Sequence, residues 1–302
     1  MALTNFNELM RQTEIGQYAV GYFESWNLES LQAVADAAEA MRSPVVLGFS
    51  GIYLHHPERL THERLSVYSA LGSEMCRQIS VPACLLFNES PHFERVLEAV
   101  DLGFGLVMYS EDDGCALERT RQLVAYAHSK GVAVEAEMAA LPGVSEGLTS
   151  APESLTFTDP VRAHAFVDET GIDALAVNIG QVHLHGRQEV RLNLSRLAEL
   201  RKEVPVPMVL HGATSVQRSD LQAAIALGIR KINVGSVLKR TYLEALRAAL
   251  AEVGGDYNPY DVMGSGLKDD VLTKARLALQ NVVQDFMELF GSKGKACPES
   301  SP

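Results

Sequence analysis

In the stretch "CLLFNES" (84–90) an apolar run gives way without a spacer to Asn88, Glu89 and Ser90. Similar polar endings recur along the chain, at Glu24, Ser50, Ser110, Glu137, Gly180 with His183, His211 with Gly212, and Asn233 with Ser236. Two imidazoles among carboxylates make a metal-ligand chemistry. Neutral imidazole nitrogen and carboxylate oxygen together suit zinc or a similar divalent ion, and a catalytic site keeps one position for substrate. A lone histidine is usually structural, but His183 and His211 each close such a run, and histidine is the commonest metal-binding side chain. A second chemistry is anion binding. "HGAT" (211–214) and "NVGS" (233–236) offer backbone N–H groups beside glycine and hydroxyl residues, and Arg187, four residues after His183, adds a fixed charge. Gly212 and Gly235 would equally serve tight turns, and Asn88 with Glu89 would equally cap the next helix.

These residues can meet only if the runs that precede them are strands whose ends converge. The runs are "YAVGYF" (18–23), "PVVLGFS" (44–50), "PACLLFN" (82–88), "GLVMYS" (105–110), "AVEAEMA" (133–139), "ALAVNIG" (174–180), "PMVLHG" (207–212) and "KINVGS" (231–236). They are near-continuous in apolar residues, as parallel strands covered on both faces should be. Segments with helical periodicity separate them, among them 27–41, 92–103, 116–131, 159–171 and 217–228. Gly103, Gly131, Gly171 and Gly228 sit where glycine C-caps would feed the next strand. Eight such units predict an α/β fold, a parallel eight-stranded (β/α)8 TIM barrel. The catalytic face then lies at the carboxyl ends of the strands, and the turns after strands seven and eight are where barrels commonly hold phosphate. A doubly wound open sheet is the alternative, but no GxGxxG follows the first strand. An N-terminal helix would plug or flank the barrel bottom, and helices over 237–253 and 268–290 follow strand eight. Residues 1–290 read as one barrel domain and 291–302 as a disordered tail.

Composition narrows the partners. A formal charge of −12 opposes nucleic acid and anionic lipid. No apolar stretch of about 18 residues or signal-peptide layout is present, so a cytoplasmic location is expected. The four cysteines are scattered without CxxC spacing, which points to idle thiols.

With those residues in view, the chain resembles the class II fructose-bisphosphate aldolases, the metal-dependent ketose-bisphosphate aldolases. The likeness runs from about Gln17 to Val253 and is carried by "VEAEMAALPG", "FTDPVRAHAFVDETGIDALAVNIGQVHLHG" and "VPVPMVLHGATSV...AIALGIRKINVGS". It implies a zinc ion that polarises the carbonyl of a ketose phosphate, aldol cleavage or condensation through a metal-stabilised enediolate, and a homodimer or homotetramer. Transferred by position, His183 and His211 match zinc ligands and Glu137 a glutamate of an alternative metal position. Gly212, Ala213 and Thr214 match a phosphate turn, with Ala213 for a usual glycine. Asn233, Val234, Gly235 and Ser236 match the stretch that holds dihydroxyacetone phosphate, Ser50 a serine near substrate, and Arg187 a lysine.

The match breaks at the opening stretch. Family members read LHLDHG, with a proton-transferring aspartate and a zinc histidine, where this chain has Asn88 and Glu89. Asn88 cannot take and return a proton at neutral pH, whereas Glu89 can still ligate a metal. Glu24 stands for a usual asparagine, Ser110 for an aspartate and Leu184 for a glycine. The reading is a lyase whose metal is held by Glu89, His183 and His211, with Glu146 or Glu24 carrying the proton and a substrate other than fructose bisphosphate. A sugar-phosphate isomerase or epimerase, and a non-catalytic or regulatory paralogue that binds a phosphorylated ligand, are the alternatives.

Overall fold

The computed structural model describes residues 4–110, 116–141, 156–182 and 189–296. Its strands are β1 (Val20–Phe23), β2 (Val45–Ser50), β3 (Ala83–Ser90), β4 (Leu106–Tyr109), β5 (Ala133–Glu137), β6 (Ala174–Ala176), β7 (Met208–Leu210) and β8 (Ile229–Val234). They pair in chain order, all parallel, and β8 closes on β1. The expected (β/α)8 barrel is what forms.

Alternate residues of each strand enter different cores. Val20, Tyr22, Val46, Cys84, Leu86, Leu106, Ala133 and Val209 face inward and pack together, while neighbours such as Phe23, Leu47, Leu85 and Phe87 join the outer layer under the helices. Burial on both faces is why the strands read as apolar runs without alternation.

The helices are α1 (Phe6–Gly16), α2 (Leu28–Met41), α3 (Gly51–Leu54), α4 (Leu65–Gln78), α5 (Phe93–Asp101) and α6 (Ala116–Ser129), then α7 (Pro160–Thr170), α8 (Leu194–Glu203) and α9 (Arg218–Ala226). After β8 come α10 (Ser236–Glu252), α11 (Pro259–Val262) and α12 (Val271–Leu289). All four expected C-cap glycines take positive φ, between 72° and 112°. Phe6, Leu9 and Met10 of α1 join the inner core, so this helix plugs the barrel bottom. Phe23 stacks on Phe290 and tilts against Phe286, which brings α12 over β1.

Of the tail, residues 291–296 pack back on the barrel: Gly294 and Ala296 donate backbone bonds to Met41 and Arg42, and Ser43 donates to Ser292 Oγ at 2.8 Å. Residues 297–302 lie outside the described part. Among the described residues no helix is long and apolar enough to cross a membrane. Cys76 and Cys84 are buried free thiols.

Candidate active site

The period-two geometry of strands puts residues two apart on one face, so the inward rungs climb into polar residues at the barrel mouth. Tyr22 leads to Glu24, Leu86 to Asn88, Glu135 to Glu137, Val209 to His211 and Lys231 to Asn233. The end of β3 departs from this period. Its pairing with β4 shifts register between Phe87 and Ser90, and Glu89 takes a left-handed φ of 49°. The irregularity lets consecutive residues share the pocket: Asn88 Nδ2 donates to Glu89 Oε2 at 2.6 Å. Neither caps α5, whose N-cap is His92 without a side-chain bond.

His211 is the hub. Its Nδ1 faces Glu89 Oε1 at 3.1 Å, and its Nε2 lies 2.7 Å from Glu135 Oε1. Glu135 in turn pairs with Lys231 at 2.8 Å, both fully buried, and Lys231 donates to Asn233 Oδ1 at 2.6 Å. Asn233 Nδ2 lies 3.0 Å from His211 Nε2 and 3.5 Å from Asn88 Oδ1. The charged carboxylate is the stronger partner for Nε2, so that nitrogen carries a hydrogen donated to Glu135. Burial pushes the imidazole toward neutrality, but the facing carboxylates, Glu89 foremost, overcome it and hold its pKa up to about 10. For Glu135 burial raises the pKa, and Lys231 with His211 brings it below the ordinary value.

The resemblance implies a divalent metal, and these groups can be set against one. Metal-binding histidines usually donate their second ring N–H to a carboxylate that fixes the tautomer, and Glu135, 2.7 Å from His211 Nε2, has that placement. Nδ1 then faces a carboxylate oxygen at 3.1 Å, and the position of the proton shared between them is the one a divalent ion would use. Glu89 and His211 therefore fit as two of the expected ligands. Among the described residues no group of three or more His, Cys, Asp or Glu could hold the ion alone. The third expected donor, His183, lies outside them, as do Arg187 and Glu146. Glu137 feels the His211 charge but is hydrogen-bonded elsewhere. It accepts from Ser110 Oγ at 2.6 Å, and burial pushes its pKa up to about 7.

A cavity of about 640 Å³, counted with the solvent it opens to, lies above this hub. Glu24, Ser50, Asn88, Glu89 and His211 line it, together with Gly212, Thr214 and the stretch Asn233, Val234, Gly235 and Ser236. The left-handed Gly212 (φ 64°) turns the chain from β7 into a short 3-10 helix, where Ala213 is buried instead of lining the cavity. Gly180, also at positive φ, packs against Arg191 O behind that turn.

Reading only strand ends overlooks Glu135 and Lys231, one rung below. Their signal is a charge at an inward position of an otherwise apolar run. Three further lining or flanking residues were not foreseen. Tyr22, 2% exposed, lines the cavity and its hydroxyl has no hydrogen-bond partner among the described residues. Tyr53 of α3 lines it too, and Lys239 of α10 pairs with Glu24 at 2.6 Å.

Comparison with known proteins agrees with this geometry. The family model described as "Fructose-bisphosphate aldolase class-II" matches residues 4–295. A fructose-bisphosphate aldolase of Geobacillus stearothermophilus is 33% identical over 299 residues, covering 98% of this chain and 99% of the relative. One from Thermus caldophilus is 32% identical over 316 residues, covering 96% and 98%. The crystal structure of the YdjI aldolase from Escherichia coli K12 superposes with a TM-score of 0.78 at 28% identity, covering 98% and 100% of the two chains.

Proposed function

Because this chain belongs to the class II fructose-bisphosphate aldolase family, we propose that it is a cytoplasmic, homo-oligomeric lyase. It would use a divalent metal, zinc for preference, to cleave or form a phosphorylated ketose other than fructose 1,6-bisphosphate. The observation that carries the reading is the His211 hub: a buried imidazole with one nitrogen fixed by the Glu135–Lys231 pair and the other turned to Glu89.

Glu89 and His211, with His183 by sequence position, would hold the ion, and Glu137 stands ready for its alternative position. When bound, the metal polarises the substrate carbonyl and stabilises the charge that builds on it as the carbon–carbon bond breaks. The chain's own residues do the rest. Glu135 fixes the tautomer and orientation of His211. Asn233, held through Oδ1 by Lys231, presents its amide N–H to the cavity floor. Gly212, Thr214, Gly235 and Ser236 offer N–H and hydroxyl groups to a phosphate, joined by Arg187 and Ser50.

The proton needs another carrier than Asn88. Glu24 lines the cavity with a pKa raised by burial against the pull of Lys239, and Glu146 is the second carboxylate in sequence reach. A non-catalytic paralogue is favoured by Asn88 alone. The discriminating experiment is a screen of ketose phosphates for aldehyde release with metal-loaded protein, alongside Asn88→Asp. Cleavage of at least one non-fructose substrate by the parent is expected. If Asn88→Asp gains fructose-bisphosphate cleavage while the parent cleaves nothing, the enzyme reading fails.

A further inference from the structure

Tyr22 is an inward residue of β1 that ends in an unsatisfied group. It is buried and lines the main cavity, yet its hydroxyl finds no hydrogen-bond partner among the described residues. Buried polar groups are hydrogen-bonded as a rule, and one left alone asks for a ligand or another explanation. A phenylalanine would fill the same rung of the barrel without the cost of an unpaired hydroxyl.

The ring that carries this hydroxyl is anchored. Lys231 Nζ lies 5.4 Å from the ring centre, a cation–π contact, and that ammonium is itself fixed by Glu135 at 2.8 Å and by Asn233 Oδ1 at 2.6 Å. The register of β1 on β8 sets Tyr22 beside Asn233, and both residues line the cavity. Burial first, and then the charges of Glu24, Glu89 and Glu135, push the phenol pKa well above its ordinary value. The hydroxyl therefore stays protonated, a donor held still without an acceptor. Three carboxylates bearing on one spot repel a phosphate dianion, so the oxygen that suits it is the neutral hydroxyl or carbonyl oxygen of a sugar.

We propose that Tyr22 is a substrate-binding residue whose hydroxyl donates a hydrogen bond to a hydroxyl or carbonyl oxygen in the ketone segment of the phosphorylated ketose, next to the Asn233 amide. A donor placed there reads the hydroxyketone and not the phosphate. It also sets specificity, because a site built to hydrogen-bond a substrate oxygen rejects an analogue that lacks it. This inference rests on the phosphorylated-ketose reading above and adds a residue which that reading does not use.

The test compares dihydroxyacetone phosphate with inorganic phosphate as calorimetric ligands of the zinc-loaded full chain, in the parent and in Tyr22→Phe. The variant keeps the ring and its contact with Lys231 and loses only the hydroxyl. It is expected to bind dihydroxyacetone phosphate about tenfold more weakly, the worth of one lost hydrogen bond, and inorganic phosphate as the parent does. Without ligand it should melt at the parent's temperature or above it, since an unpaired buried hydroxyl has been removed. A hydroxyl satisfied by a resident water or by the protein would behave otherwise. Its loss would lower the melting temperature, or prevent folding, and leave the preference between the two ligands where it was; that result overturns the proposal. Equal losses for both ligands, or no binding of dihydroxyacetone phosphate by the parent, overturn it as well. Cleavage of a ketose phosphate with the same KM in parent and Tyr22→Phe would sink the role of Tyr22 and keep the lyase reading. The expected binding pattern without any cleavage would sink the lyase reading and keep Tyr22.

Discussion

Lys231 and Glu135 lie 2.8 Å apart with no exposed surface, so their charges are tolerable only together. Removing one strands the other in the barrel: Lys231→Met or Glu135→Gln alone should cost about 3–5 kcal/mol in urea unfolding, while the double variant recovers most of it. Glu135→Gln should also weaken zinc about 10–100-fold in a chelator competition, because the second partner of a ligating histidine sets its tautomer and basicity. An unchanged affinity would remove Glu135 from the metal's support. The places of His211 and Glu89 at the barrel mouth were legible, since they end their runs. Glu135 and Lys231 were not, because a charge inside an apolar strand reads as an interruption until the inward face is known. Glu24 was legible as a lining carboxylate, but its partner Lys239 sits one helical turn beyond the strand end, where nothing in the local pattern marks it.

At the level of elements, the end of β3 shows how backbone geometry builds the site. Asn88 and Glu89 both reach the pocket because Glu89 adopts φ 49°, a conformation that costs ordinary residues about 1–2 kcal/mol and asparagine less. Glu89→Asn and Glu89→Val both remove the carboxylate, so their difference isolates the backbone. The asparagine variant should be the more stable by about 1–2 kcal/mol in chemical denaturation, and equal stabilities would mean that the kink is not enforced. No sequence pattern announces this kink, since its cause is the register shift against β4. Helices were readable where apolar residues carry the period. The buried face of α4 is Leu65, Ser69, Gly72 and Cys76, with helical spacing but small or polar residues, so hydrophobicity alone hides it. Strands β6 and β7 pair over three residues each although their apolar runs are longer, because residues past the last ladder bond stay buried at the barrel mouth.

For the whole molecule, closure of eight strands brings β3, β5, β7 and β8 to one hub, and only the folded barrel unites Glu89 with His211. α1 secures that closure from below. Phe6 is fully buried against the inner core, so Phe6→Ala should cost about 3–5 kcal/mol without altering the mouth. It should show as a lowered midpoint with zinc affinity preserved. The same logic would make the proposed metal binding a property of the fold. A ligand that binds the native state alone adds RT ln(1 + [L]/Kd), about 2.7 kcal/mol at a hundredfold excess over Kd. For a domain of this size that is a rise of several degrees in melting temperature, at about 2–4 °C per kcal/mol. Zinc should therefore raise the midpoint of the parent in a concentration-dependent way and a chelator should reverse it, whereas His211→Ala should give a flat response because the Nδ1 donor is gone. Zinc stabilisation that survives in His211→Ala would place the ion elsewhere on the molecule and separate the barrel's stability from its hub.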